Sequence, residues 1–89
     1  MAITKKQPRT YDGLGLATLI AEDEEGHHEP VAVVGTISEA REAAANDLRD
    51  RMRRLEQGEE AGLCPAVYKV WARGIDGFYR VASEITDIL

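Results

Sequence analysis

The residues of this chain with the most chemical capacity fall into three groups. His27 and His28 follow the acidic run Glu24-Glu25-Gly26 and precede Glu29. Imidazoles among carboxylates are donors that zinc and other divalent metals accept. Cys64, the one cysteine, stands in Gly62-Leu63-Cys64-Pro65, and Lys69, Trp71, Arg73 and Arg80 gather three cations around the single tryptophan.

Each group also has a plainer reading. Adjacent side chains on an extended segment point apart, and no second histidine one helical turn away and no Cys-x-x-Cys pair accompanies His27 and His28. A solvated loop without metal is expected. A catalytic thiolate needs a base or a cationic setting to lower its pKa. Glu59 and Glu60 act in the opposite sense, so Cys64 is expected to be a semi-buried small apolar residue. There is no nucleophile elbow and no phosphate-binding loop, and Gly13-Leu14-Gly15 lacks the third glycine of a dinucleotide fingerprint. The expectation is a chain with no catalytic residues, no cofactor and no metal, and hence not an enzyme.

The Lys69, Trp71, Arg73 and Arg80 set admits two readings. Basic sheet surfaces carrying aromatics stack bases and hold phosphates. Alternatively Trp71 anchors a core or an interface, with the Lys and Arg stems packed over it, and Trp and Arg dominate protein–protein hot spots. Sixteen acids against eleven Lys and Arg leave a formal net charge of −5. Nucleic-acid affinity draws on phosphate neutralisation, so the second reading is preferred and a nucleic-acid-binding module is the alternative.

These residues need elements to position them. From Thr36 to Gly58 the chain reads as one helix. Thr36 and Glu39 have capping-box spacing, Gly58 suits a left-handed C′ position, and no Pro or Gly intervenes. At 100° per residue, Ile37, Ala40, Ala44, Leu48, Met52 and Leu55 share one stripe. Arg41 falls within that stripe and Arg51 at its flank, their stems passing the sheet's edge or meeting a partner subunit's carboxylate. Asp47–Arg51 and Asp50–Arg54 are acid-first i, i+4 pairs of a few tenths of a kcal/mol each.

Strand-like sequence lies on both sides of the helix. Tyr11–Ala21, starting near Leu14, and Val31–Thr36 flank the polar loop EDEEGHHEP, while Ala66–Arg73 and Phe78–Asp87 flank Gly74-Ile75-Asp76-Gly77, a hairpin signal. Alternation puts Ala66, Tyr68, Val70 and Ala72 on one face of the third strand and Val67, Lys69, Trp71 and Arg73 on the other. In the fourth strand it groups Tyr79, Val81, Ser83 and Ile85 opposite Arg80, Ala82 and Glu84. The order is ββαββ, an α+β two-layer sandwich with one long helix across a four-stranded, mainly antiparallel sheet.

Eighty-nine residues correspond to one domain, 1–89, with residues 1–10 read as a flexible N-terminal arm bearing Lys5, Lys6 and Arg9. No apolar run approaches the ~18 residues of a membrane span, and one cysteine suits a reducing compartment. A cytoplasmic location without membrane association is expected. A single helix covers one sheet face, whereas the first two strands are apolar on both: Leu14, Leu16 and Ile20 on one side, Ala17, Leu19 and Ala21 on the other. Such strands are ordinarily covered twice. The expectation is a small interaction module that self-associates as a homodimer, sheet face to sheet face or edge to edge. Arg41, Lys69, Trp71, Arg73 and Arg80 are the candidate partner-binding residues.

Overall fold

The computed structural model describes residues 17–74, 76–86 and 88. Its helix, α1, spans Ile37–Glu56. Thr36 is the extended N-cap, and its Oγ1 accepts from the Glu39 N–H at 3.1 Å. The Glu39 carboxylate reaches back one residue further than a capping box requires, accepting from the Gly35 N–H at 2.7 Å. At the other end Gly58 takes φ +79°. The Gly58 N–H donates to the Leu55 carbonyl at 3.1 Å, and the Glu59 N–H to the Arg54 carbonyl at 2.8 Å. These two bonds form a Schellman closure that only a left-handed residue at position 58 permits.

Four strands form one sheet: β1 (Ala17–Glu22), β2 (His28–Val34), β3 (Val67–Arg73) and β4 (Tyr79–Ile85). All pairings are antiparallel and the spatial order is β2-β1-β3-β4, so the two hairpins meet through their first strands. The architecture is the expected ββαββ, α+β arrangement. The strand boundaries differ from the sequence reading by one or two residues in β3 and β4 and at the end of β1, and most at β2. β2 begins at His28 and ends at Val34, because Glu22↔His28 and Ala21↔Glu29 continue the ladder into the polar loop. Leu14 and Leu16, read as part of the first strand, lie outside the described residues.

Both edge strands are bulged. In β2, Leu19 pairs with Ala32 and Ile20 with Pro30, leaving Val31 as an extra residue. In β4, Val70 pairs with Ser83 and Trp71 with Val81, leaving Ala82 extra. A bulge reverses the facing of the residues beyond it, and this corrects the strict alternation read for β4. Ser83 and Ile85 share the helix-side face with Val70 and Tyr68. Val81 and Tyr79 instead lie opposite Trp71 and Arg73, on the face away from the helix. Arg80 pairs with Ala72 and so leaves the Trp71 face.

The core lies between α1 and the sheet. Ala17, Leu19, Ala21, Val34, Tyr68, Val70, Ala72 and Ile85 are buried against Ala40 and Ala44, both fully inaccessible. Alanine at these two helix positions lets the helix backbone approach the sheet closely. The buried stripe runs Ala40–Ala44–Arg51, rotated about 40° from the stripe read from the sequence at 100° per residue. The rotation puts Arg51 at the centre, 8% exposed, and leaves Met52 at 47% and Leu55 at 62%. Twenty helical residues extend about 30 Å against about 20–24 Å for strands of six or seven. The last turn therefore overhangs the sheet.

Candidate functional site

The sheet face turned away from α1 is ordered in cross-strand rows by the pairing register. One row reads Val33–Thr18–Trp71–Val81 across all four strands. Directly opposed residues on neighbouring strands share a face with side chains in reach of one another, so the row is a continuous, mainly apolar band with Trp71 inside it. Val33 is 67% exposed and Val81 39%. Ile20 and Pro30 are paired in the next row, and Tyr79, 58% exposed, stands opposite Arg73 on the other side. The Trp71 Nε1–H is buried and has no hydrogen-bond partner among the described residues. A buried indole N–H without an acceptor is uncommon.

The face is polar at the end far from Arg73. Lys69 stands between Ile20 and Glu84, and its Nζ lies 3.1 Å from Glu22 Oε1. His28 Nε2 meets the same Glu22 oxygen at 3.1 Å. The hydrogen bond from Lys69 holds the Glu22 carboxyl below its ordinary range; partial burial pulls the other way, and the nearby Lys69 and His28 reinforce the lowering.

The helix side carries a second polar assembly, centred on Arg51. Its Nε donates to Asp47 Oδ2 at 2.7 Å and its Nη2 pairs with Glu29 Oε1 at 2.7 Å. Its Nη1 donates to the carbonyls of Ala61 at 2.7 Å and Leu63 at 3.1 Å. The Tyr68 hydroxyl donates to the same Asp47 oxygen at 2.7 Å. One guanidinium thus connects α1, β2, β3 and the loop that returns from the helix. Burial opposes its charge, but the hydrogen bonds to Asp47 and Glu29 outweigh that and hold its proton more tightly than usual. Burial and the bond to Asp47 raise the Tyr68 pKa. With its donors engaged in this way, Arg51 acts as a structural clasp and not as a flanking snorkel.

Arg41 is exposed on the helix and lies outside the buried stripe. Lys69, Trp71 and Arg73 share the open face, with Val67. Arg80 is directed elsewhere by the β4 bulge and forms a two-pronged pair with Asp76, Nη1–Oδ1 3.0 Å and Nη2–Oδ2 2.7 Å, with its guanidinium carbon 6.0 Å from the Phe78 ring centre. The four residues therefore do not form one patch. Val33, Thr18 and Val81 join Trp71 instead, a grouping hidden in the sequence because each residue comes from a different strand and Val81 depends on the bulge.

The two histidines point to different partners. His27 Nδ1 lies 3.0 Å from Asp23 Oδ2, while His28 turns to Glu22. Asp23 Oδ1 accepts from the N–H groups of Glu25 (3.0 Å) and His27 (2.8 Å) and so closes the β1–β2 turn. Asp23, Glu25 and His27 bring one potential ligand atom each within 4.8 Å of one another, but the same geometry serves the turn. Cys64 is exposed, not semi-buried as the sequence suggests. The return loop spends its inward contacts on Ala61 and Leu63, which face Arg51. Among the described residues no helix is long and apolar enough to cross a membrane.

Compared with known protein families, curated proteins and solved structures, the chain matches none.

Proposed function

We propose that this chain is a small interaction module, that its binding surface is the open sheet face, and that its partner is a second copy of itself. The observation that carries this reading is the Val33–Thr18–Trp71–Val81 row, an apolar band on the face that α1 does not cover. A central tryptophan between Thr18 and Val81, with Val33 beyond and charge at the rim, has the composition of an interface hot spot. Face-to-face contact is favoured over edge pairing. Pro30 in β2 cannot donate to a ladder, and bulges in β2 and β4 blunt both edges against a new strand.

Two observations favour protein over nucleic acid as the partner. On the open face Lys69 is paired with Glu22, and Arg80 is paired with Asp76 on the other side of the sheet. Four arginines of the helix are likewise engaged, Arg49 with Asn46, Arg53 and Arg54 with Asp50, and Arg51 in its clasp.

Four strands about 4.8 Å apart and six or seven residues long offer a face of about 400 Å² in projection. That is near the lower limit for specific association, so micromolar affinity is expected. Sedimentation equilibrium into the high micromolar range should give twice the chain mass, and Trp71→Ala should return the monomer without loss of fold. A wild-type chain that stays monomeric at those concentrations overturns the reading. Quenching of Trp71 fluorescence by RNA or DNA at low salt would turn it toward nucleic acid.

A further inference from the structure

The charged groups of the open face differ in whether they bring a counter-ion with them. Glu22 Oε1 lies 3.1 Å from Lys69 Nζ and 3.1 Å from His28 Nε2, so this corner is neutralised within the face. Arg73 is the exception among the cations. It stands opposite Tyr79 and is exposed, and among the described residues it has no ion pair. It follows Trp71 by two residues on the same face of β3, about 6.6 Å along the strand.

The size of the face decides whether Arg73 is covered. A specific contact uses about 800 Å² per partner, and the open face offers only about half of that in projection. An association through the Trp71 row therefore draws on every row of the face, that of Arg73 and Tyr79 included. A guanidinium withdrawn from water without an acceptor opposes binding. One that meets a carboxylate forms a charge-assisted pair and favours the surface that supplies it.

Resting on the proposal that this face binds a second copy, we infer that Arg73 is the specificity-determining residue of the contact and takes a carboxylate of the partner subunit. The chain is suited to supply one. Sixteen acids stand against eleven Lys and Arg, and on the face itself Glu84 is exposed and without an ion pair among the described residues. A neutral apolar surface laid over the same row strands the guanidinium instead, which is how one unpaired charge excludes wrong partners.

Arg73 lies outside the buried core, so its substitution leaves the fold intact. Arg73→Gln should weaken dimerisation about tenfold, the effect of a partly exposed ion pair made twice in a symmetric dimer. Arg73→Glu should weaken it at least about threefold further, since it sets like charges together. Arg41, exposed on α1, is the control. Arg41→Gln and Arg41→Glu change the net charge by the same amounts and should move the dissociation constant less than about threefold. Sedimentation at one ionic strength, with circular dichroism as the fold control, reads the outcome. A wild-type dimer in which the Arg73 and Arg41 variants behave alike, or in which Arg73→Gln binds more tightly, overturns the role of Arg73 and leaves the self-association proposal standing. A monomeric wild type overturns both.

Discussion

Arg51 Nη2 and Glu29 Oε1 lie 2.7 Å apart and join the last third of α1 to edge strand β2. The contact fixes where the helix sits on the sheet. Glu29 pairs with Ala21 in register and therefore faces the helix, a facing that exists because the Val31 bulge separates it from the Val34 end of the strand. Asp47, the Tyr68 hydroxyl and the two loop carbonyls complete the clasp.

Removing Arg51 should leave Asp47 and Glu29 without their shared counter-ion and two loop carbonyls without a donor. Arg51→Ala is expected to cost about 2–4 kcal/mol, between the cost of an unsatisfied buried group and that of a fully buried ion pair that loses one member. Glu29→Gln should cost about 1 kcal/mol or less, because the Glu29 side chain is 42% exposed. Urea denaturation midpoints compared at constant m-value measure both; equal effects would show that the clasp does not depend on burial of the guanidinium.

Gly62 and Gly58 both have left-handed backbones, φ +72° and +79°. A Cβ at Gly62 would come within 2.7 Å of Glu29 Oε2 and 2.9 Å of Arg51 Nη1, whereas one at Gly58 would meet nothing within 4 Å. Gly58→Ala should therefore cost about 1 kcal/mol of backbone strain alone. Gly62→Ala should cost clearly more, since it also wedges the clasp open. Thermal melts of the two variants side by side would settle the order.

Burial, followed by the bond to Asp47, raises the Tyr68 pKa. The folded state therefore holds this proton more tightly than the unfolded chain, where the phenol ionises near its ordinary value of about 10. Stability from this group is complete below that value and falls as the pH rises above it, with a limiting slope of about 1.4 kcal/mol per pH unit. Urea titrations between neutral pH and pH ~11 should show the decline, and Tyr68→Phe should reduce its slope.

At the β3–β4 turn the Arg80 guanidinium, helped by the Phe78 N–H, holds Asp76 at about 2. A lowered carboxyl pKa stabilises the fold above the unfolded value of about 3.9, and the contribution is lost as the pH falls through the folded value. A carboxyl-carbon NMR titration should give an Asp76 midpoint near 2 in the wild type, returning toward the ordinary aspartate value in Arg80→Gln.

The helix was legible because its signals are local. Thr36 and Glu39 cap within four residues, Gly58 closes within two, and the Ala-rich interior has a strong intrinsic preference. The strands were legible from alternation, and the inward set Tyr68, Val70 and Ala72 was read directly. The buried face of the helix lies about 40° of the wheel, at 100° per residue, from its apolar stripe, because Arg51, at the flank of that stripe, is drawn to the centre by its pairing with Asp47 and Glu29. The long-range partners are 22 positions apart for Arg51–Glu29 and 21 for Asp47–Tyr68, beyond the reach of any local pattern.

The open face divides in the same way. Val67, Lys69, Trp71 and Arg73 share a strand, so period-two spacing placed them together. Strict alternation in the fourth strand assigns Arg80 to this face and excludes Val81, whereas the extra residue at Ala82 reverses the facing of everything beyond it. The amino-acid order by itself determined the ββαββ succession, the caps of the helix and the alternating faces of β3, all consequences of short-range sterics and hydrogen bonding. Only the tertiary structure decided the strand order β2-β1-β3-β4, the two bulges, the burial of Arg51 and the row that runs through Trp71. Those depend on register between distant segments, where a shift of one residue exchanges the inside for the outside.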